Sequence, residues 1–505
     1  MTIQESTVEA EVVRTHPAPP PFEGEARGFS LRAIVFKGAT WTFLGFAASY
    51  VLKLSSSLIL SRLLTPEVFG VAGLVWLYLT ALVMFSDLGI GANVVRSNRG
   101  YDAAFLDTAW TLQVARGFLI WAVSLLLGWP MAWFYDRPEL RSLIAVASLS
   151  SFCLGLHSTA MYTCTRRFAV WRLVVLDLIY QVVTLLLTAA IAWEYPSPWA
   201  LVIGSVLGTG LRALLSHLVL GGHRQRFRWE PESVHELFTF GRWAFLSSLV
   251  TFLAAQSDRL VLGKLIDITE FGLYSIALTV AMAPRELFER LSNQLALPLL
   301  VRIVREPGGV RKATWVRVVM MACSALICAT VIAVARPGIE LVFPPRYHGL
   351  ATFLVVLTFG SWLATVSSTY FALLISSEHP SPNRYVSLGV ALRAVIFFTL
   401  VWPAFSQFGA VGVAALASLS EIGVILGNVV GVRKLGFPTL RVDLAMHLIF
   451  LLTTAALTLL CLGVRDFTGS RLAGVSAVAL VSGSVALAGA LALKRRPLAV
   501  LGASN

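Results

Sequence analysis

The sequence predicts an all-α polytopic membrane protein with about fourteen transmembrane helices, and three observations lead to this fold class. First, 57% of the 505 residues are hydrophobic and only 13% are charged, a balance that soluble chains of this size do not have. Second, apolar runs long enough to span a bilayer recur along the chain. Third, Lys and Arg are concentrated in alternate connections between these runs.

The apolar runs define the predicted spans in order. They fall near residues 40–61, 68–90, 106–134, 142–163, 172–193, 198–220, 242–263, 271–292, 314–335, 350–376, 385–405, 408–431, 443–463 and 472–493. With a cytoplasmic N-terminus, the connections on that side hold 24 Lys and Arg residues and the outer connections hold eight. Basic residues favour cytoplasmic connections, so we expect both chain ends in the cytoplasm.

The net charge of +13 is therefore mainly an orientation signal. Residues as far apart as Arg224 and Arg317 count as cytoplasmic in this scheme. No nucleic-acid-binding motif accompanies the charge, so we expect no nucleic-acid partner. The five cysteines lack metal-ligand spacing and no cofactor motif occurs, so we expect neither a metal nor a cofactor.

An internal repeat divides the chain. At an offset of 202 residues, 35 residues beginning at Phe36 align without gaps, and ten positions are identical. The identities include Trp41 with Trp243 and Gly70 with Gly272. Six predicted helices separate the copies, so both copies run in the same direction through the membrane. We expect two pseudo-symmetric six-helix lobes followed by two extra C-terminal helices.

The repeat and the spans together set the predicted organisation. It consists of a disordered cytoplasmic tail (1–36), an N-terminal lobe (37–222), a cytoplasmic linker (223–238), a C-terminal lobe (239–434), a C-terminal helix pair (435–496) and a short cytoplasmic tail (497–505).

Ionisable side chains inside the spans are the candidate functional residues, because a charge within the bilayer is costly. In the first span, Gly45, Ser49, Lys53 and Ser56 share one helical face. In the second copy of the repeat, Asp258 aligns with Ser56. Close helix packing explains the small residues. It does not explain Lys53 and Asp258, which we expect to face a water-filled cavity between the lobes.

Other charged residues have two possible roles. Arg259 follows Asp258 directly, so the two side chains do not face each other on a helix. Arg259 either lines the cavity or extends outward to the membrane surface. Arg116, in the third span, either binds substrate or forms a buried structural pair. The remaining basic candidates, with the same alternatives, are Arg212 and Arg393, and the candidate acids for cavity and coupling roles are Asp258 and Glu421.

The segment PRELFERLSNQ in the eighth span suggests a gate. Its proline can kink the helix, and its charges form two predicted pairs, Arg285 with Glu289 and Glu286 with Arg290. Asp87 coincides with Glu289 at the repeat offset. We interpret these five residues as a cytoplasmic gate whose salt bridges differ between conformations. The alternative is a set of ordinary interfacial ion pairs.

Three segments carry a resemblance to a known family. LSRLLTPEVFGVAGL, FSDLGIGANVVR and SDRLVLGKLIDITEFGLYSIAL resemble the signature segments of the polysaccharide biosynthesis flippases, the Wzx-type lipid-linked oligosaccharide exporters. The resemblance covers the first two helices of each lobe. It implies a V-shaped, two-lobe fold in the bacterial inner membrane that moves an undecaprenyl-diphosphate-linked glycan outward by alternating access.

The resemblance also implies a site. Relatives have a cationic cavity, and a groove beside their last two helices holds the lipid tail. Arginine binds phosphate oxygens bidentately, so the diphosphate of such a cargo suits basic side chains. The candidates here are Lys53, Arg116, Arg259, Arg212 and Arg393. Expected partners are the anionic lipid-linked oligosaccharide, membrane lipids, and a polymerase and chain-length regulator of the same pathway.

Three alternatives remain open at this stage. A lipid II flippase of peptidoglycan synthesis has the same predicted fold and cavity. A cation-coupled multidrug exporter of the same superfamily favours an acid in the first helix, where this chain has Lys53. An enzyme is not expected, because no GxxxxGK[ST] loop occurs and the outer connections are short.

Overall fold

The computed structural model describes residues 31–495 apart from positions 88, 98, 168, 222, 305–307, 377–381, 435–436 and 438–439. The regular elements in this part of the chain are helices, which confirms the predicted fold class. They are α1 (Leu31–Leu63), α2 (Pro66–Phe85), α3 (Ile90–Arg96), α4 (Ala103–Phe134), α5 (Glu139–Ala147), α6 (Leu149–Gly155), α7 (Ala160–Arg166), α8 (Val170–Glu194), α9 (Pro198–Leu218), α10 (Pro231–Leu265), α11 (Ile268–Leu291), α12 (Leu297–Ile303), α13 (Gly309–Val342), α14 (Leu350–Ser376), α15 (Pro382–Leu419), α16 (Glu421–Arg433), α17 (Leu440–Thr468) and α18 (Arg471–Arg495).

Ten helical stretches of the described chain are long and apolar enough to cross a membrane, or eleven if one bent pair counts as a single span. One of these stretches, of 52 residues, combines α15 and α16 and contains two predicted spans. Gly409, with φ of 58°, interrupts it near the start of the second of these spans. Helices α10 and α11 carry several charged residues and are not in this set. The count of fourteen therefore stays a prediction.

The predicted fourth span, 142–163, is not one continuous helix. It is divided among α5, α6 and α7, and the axis bends by 55° before α7. Gly155 ends α6 against α4, where an ideal Cβ would lie 2.7 Å from the carbonyl oxygen of Gln113. The Gln113 amide donates hydrogen bonds to the carbonyl oxygens of Leu154, Gly155 and His157 at 3.0–3.2 Å. These bonds satisfy backbone groups that the helix break leaves open.

The chain forms two compact units. The first contains the residues up to Leu64 and Leu74–Phe252, and the second contains Thr65–Gly73 and the residues from Leu253 onward. The first turns of α2 therefore belong to the second unit. The lobe boundaries given by the repeat stay a prediction.

Within the second unit, α2 and α11 touch through their backbones. An ideal Cβ on Gly70 would lie 2.1 Å from the carbonyl oxygen of Ile268, and one on Gly272 would lie 1.8 Å from that of Pro66. Residues 66 and 268, like the two glycines, are related by the repeat offset, so the contact is reciprocal. Glycine is required at both positions because any side chain would separate the helices.

The C-terminal helices α17 and α18 pack on α13 and α14 of the second unit. Trp362 of α14 stacks on Phe450 of α17 with ring centroids 4.8 Å apart. The hydroxyl oxygens of Thr330 on α13 and Ser482 on α18 are 2.8 Å apart. Both contacts anchor the helix pair to the preceding helices.

Candidate functional site

Arg116 of α4 lies at the C-terminal end of α2 in the first unit. Its guanidinium donates to the carbonyl oxygen of Val83 at 2.7 Å and to the Ser86 hydroxyl at 3.1 Å, and its Nη1 lies 3.9 Å from Oδ1 of Asp87. A cation at this place satisfies the free carbonyls at a helix end. The sequence assigned Arg116 to substrate and Asp87 to a gate, and the structure brings the two together.

Arg212 of α9 is paired with an acid that the sequence left without a role. Its Nη2 and Nε lie 2.7 and 2.9 Å from Oδ1 of Asp177 on α8. The guanidinium also lies 5.1 Å from the Tyr180 ring centroid. The charge of Arg212 is thus balanced within the unit, although the Asp177 side chain is 35% exposed.

The polar face of α1 combines two environments. Gly45 packs against Val174 of α8, and Ser49 accepts a hydrogen bond from the Gln181 amide at 3.1 Å. These contacts are helix packing, the simpler of the two sequence interpretations. Lys53 is exposed, its ammonium lies 5.1 Å from the Tyr50 ring, and it forms no salt bridge within the described chain. It therefore needs water or an anion from outside the protein.

The second unit contains a four-residue ion network. Oε1 of Glu421 on α16 accepts from Nη1 of Arg285 at 3.0 Å and from Nη1 of Arg393 at 2.6 Å. Arg285 also donates through Nε to Glu289 at 2.8 Å. The Glu421 side chain is only 5% exposed. This network joins α11, α15 and α16, and its charges cancel.

The network unites residues to which the sequence gave different roles. Arg285 and Glu289 were predicted as a gate, Arg393 as a substrate contact and Glu421 as a cavity acid. The predicted Arg285–Glu289 pair is formed. The Glu286–Arg290 pair stays a prediction: Glu286 is half-buried and Arg290 is exposed.

Asp258 of α10 is buried and accepts a hydrogen bond from the Tyr274 hydroxyl of α11. Tyr274 is itself fully buried. Arg259 lies within electrostatic range of Tyr274, and it is half-buried without a salt bridge inside the described chain. Lys53 and Arg259 are thus cations on repeat-related helices, and neither forms a salt bridge with a carboxylate of the described residues.

The sequence missed a buried cluster around Arg317 of α13. Arg317, which the sequence analysis counted among the cytoplasmic basic residues, is 3% exposed, and it donates to Oδ1 of Asp443 at 2.5 Å and to the Thr369 hydroxyl at 2.9 Å. Its guanidinium lies 3.7 Å from the ring of Tyr370, whose hydroxyl also donates to Asp443. The cluster fastens α17 to α13 and α14.

Comparisons with known proteins show the family to which this chain belongs. A family model described as "Polysaccharide biosynthesis protein" matches residues 59–352, more than half of the chain. The amylovoran biosynthesis protein AmsL of Erwinia amylovora is 22% identical over 307 residues, covering 59% of this chain and 77% of that protein. The succinoglycan biosynthesis transport protein ExoT of Rhizobium meliloti is 23% identical over 427 residues, covering 80% and 79%.

Solved structures agree on the fold. The lipid II flippase MurJ in an inward closed conformation superposes with a TM-score of 0.70 at 13% identity, covering 89% of this chain and 98% of that chain. A MATE transporter in complex with MaD5 gives a TM-score of 0.53 at 13% identity, covering 80% and 96%. The protein is thus a multi-pass membrane protein with this transporter fold. By its family match, the chain is a member of the polysaccharide biosynthesis protein family.

Proposed function

We propose that the protein is a flippase that moves an undecaprenyl-diphosphate-linked oligosaccharide repeat unit across the bacterial inner membrane by alternating access. The exported unit would serve exopolysaccharide, O-antigen or capsule synthesis. Both chain ends would be cytoplasmic, as the distribution of Lys and Arg favours. A polymerase and a chain-length regulator of the same pathway are the proposed protein partners.

One observation supports the proposal in addition to the family match. Lys53 on α1 and Arg259 on α10 lie within predicted spans, on helices related by the repeat, and neither forms a salt bridge within the described chain. An unbalanced cation inside a bilayer requires water or an anionic ligand. A diphosphate with attached sugars is such a ligand, and basic side chains bind its oxygens by charge-assisted hydrogen bonds.

Arg116 and Arg212 are secondary contacts in this proposal. Their acids, Asp87 and Asp177, are 53% and 35% exposed, so an incoming phosphate can compete with them for the guanidinium donors. Arg393 has a different role, because buried Glu421 holds it together with Arg285. We assign these three residues and Glu289 to holding α11, α15 and α16 in one conformation.

Family relatives and fold neighbours favour transport over catalysis. The family match and the named relatives favour a polysaccharide precursor, whereas the fold alone also fits a lipid II flippase. A multidrug exporter is the weaker alternative, since the first helix presents Lys53 and the buried acid of α10 is held by a tyrosine.

The test is complementation of a host that lacks the gene. Lys53→Ala and Arg259→Ala together should reduce polymer output at least tenfold, because two cations that face the diphosphate are lost. Lys53→Arg with Arg259→Lys, which keeps both charges, should restore most of it. Protein in the membrane is quantified for each variant, and accumulation of the lipid-linked repeat unit is measured by mass spectrometry.

Three outcomes would reject the proposal. Normal polymer output from the double alanine variant would remove Lys53 and Arg259 from the transport path. A host that makes normal polymer but accumulates lipid II without the protein would support the peptidoglycan alternative instead. Purified protein that formed glycosidic bonds by itself would show an enzyme.

A further inference from the structure

Residues 223–230, between α9 and α10, form an ordered strap on the first unit, where the sequence predicted only a linker. Its backbone is held at every second residue. The N–H groups of Arg226, Arg228 and Glu230 donate to Asp107, Thr111 and Thr108 of α4 at 3.0, 3.0 and 3.2 Å. The segment therefore lies along α4 over its last five residues.

Three side chains of the strap strengthen this attachment. Nε2 of His223 lies 2.8 Å from Oδ1 of Asp107, and the Gln225 amide donates to the hydroxyls of Ser158 and Thr159 at 3.0 and 2.9 Å. At the far end, Glu230 pairs with Arg99 at 2.6 Å. The strap is thus fixed to α4 and to the helix break before α7.

Three guanidinium groups of the strap take no part in this attachment. Arg224, Arg226 and Arg228 are all exposed, and their side chains have no salt bridge or hydrogen bond within the described chain. At about 3.3 Å per residue, the three charges lie along roughly 13 Å. The strap holds them in one row without neutralising any of them.

Apolar groups on both sides of the row place it near a bilayer surface. Leu218 and Val219, where α9 ends, are 71% and 51% exposed. Phe227 lies between the last two arginines and Trp229 follows them, and these two residues are 72% and 60% exposed. The ring centroid of Phe227 lies 4.9 Å from that of Trp110. Exposed aromatic rings next to a span are typical of the membrane–water interface.

We propose that the strap binds the phosphate headgroups of anionic phospholipids in the leaflet beside it. A row of arginines matches phosphate oxygens in charge and hydrogen-bond geometry. Basic residues immediately beyond a span attract anionic lipid, and the flanking rings favour a bilayer over a soluble acidic partner. This surface is separate from Lys53 and Arg259, so it does not depend on the identity of the cargo.

The test uses the purified full chain in detergent micelles with equal amounts of phosphatidylglycerol and phosphatidylcholine of the same acyl composition. Native mass spectrometry counts the retained lipids. The wild type should retain phosphatidylglycerol preferentially. Arg224→Gln, Arg226→Gln and Arg228→Gln combined should reduce that preference by about fivefold per arginine removed. The same three positions changed to Lys should keep most of it, because the charge remains.

A matched control removes three exposed basic residues elsewhere, Arg141, Arg336 and Arg471, each changed to Gln. It should leave the preference nearly unchanged, and melting temperatures should be the same for all variants. The proposal is overturned if the strap variant retains as much phosphatidylglycerol as the wild type, or loses no more than the control. It is also overturned if millimolar inorganic phosphate displaces the lipid, since the site would then bind free phosphate.

Discussion

The two compact units hold their charged side chains in different ways. In the first unit, Arg212 has its own acid, Asp177, and Arg116 lies 3.9 Å from Asp87, with both acids a third or more exposed. In the second unit, one nearly buried carboxylate, Glu421, serves two arginines. Partly exposed ion pairs contribute about 0–1 kcal/mol, whereas breaking a buried pair costs about 3–5 kcal/mol.

This difference separates two uses of charge in one fold. The ion network of the second unit holds three helices together, and its charges are already satisfied. The pairs of the first unit are accessible and weakly bound, so their arginines can exchange partners with an anionic ligand. We therefore expect substitutions in the ion network of the second unit to affect stability first and those in the ion pairs of the first unit to affect transport first.

The largest expected effect on stability is that of Glu421→Gln. The substitution keeps the volume of the side chain and leaves Arg393, whose side chain is 14% exposed, without a salt-bridge partner, while Arg285 keeps Glu289. The cost should be about 3 kcal/mol, as for other broken buried pairs. The melting temperature of the purified protein in detergent measures it.

Asp177→Asn is the matched substitution in the first unit, and it should lower stability by no more than about 1 kcal/mol. Adding Arg393→Gln to Glu421→Gln should recover part of the loss, because it removes the uncompensated charge. Equal melting temperatures for the Asp177 and Glu421 variants would show that the two units do not differ in the way described.

The sequence was sufficient for some of these contacts and not for others. The Arg285–Glu289 pair follows from i,i+4 spacing on one helix. The Asp258–Tyr274 contact was also within reach, since the two residues lie eight positions before and after the turn at residue 266, and an antiparallel helix pair brings such positions to one level. The sequence analysis named Asp258 and overlooked its partner.

Contacts between distant segments left no such signal. Arg317 and Asp443 are 126 residues apart, so no spacing rule relates them, and each looked like an ordinary charge at the end of a span. Hydropathy likewise gave one continuous fourth span, because the bonds from Gln113 that permit its break come from another helix. Composition and periodicity predicted the fold class, while packing between helices decided the charge partners.

A smaller effect on stability is expected where helices touch through glycine. Gly272→Ala would place a Cβ 1.8 Å from the carbonyl oxygen of Pro66, a backbone atom that cannot move without shifting α2. Overpacking of this kind typically costs about 1–3 kcal/mol. In the first unit, the new Cβ of Gly155→Ala would lie 2.7 Å from the carbonyl oxygen of Gln113. This substitution should lower stability less than Gly272→Ala does.

Gly483→Ala is the control for both glycine substitutions, because no atom lies within 4 Å of its ideal Cβ. It should leave the melting temperature unchanged or raise it slightly, since alanine favours a helix by up to about 1 kcal/mol over glycine. A Gly272→Ala protein as stable as the Gly483→Ala protein would mean that α2 and α11 can separate at little cost. The reciprocal backbone contact would then have no structural role.

The smallest expected effect is a loosening of the strap at low pH. A hydrogen bond from Ser233 and the ion pair with Arg99 lower the pKa of Glu230 below its ordinary value of about 4.3. A lowered carboxyl pKa stabilises the folded state above the ordinary value, and that contribution is lost as the pH falls through the lower value. The Glu230 end of the strap should therefore stay attached at neutral pH and detach only below about pH 4.3.

A spin label on Arg226→Cys, with exposed Cys323 changed to Ser, reports the mobility of the strap by electron paramagnetic resonance. Asp102 also faces Arg99, and His223 contacts Asp107, so the informative quantity is the difference from a Glu230→Gln protein. In that protein the mobility should already be raised at pH 7 and should change less between pH 5 and pH 3. Identical pH profiles for the two proteins would show that Asp107 and the threonines of α4 hold the strap without help from Glu230.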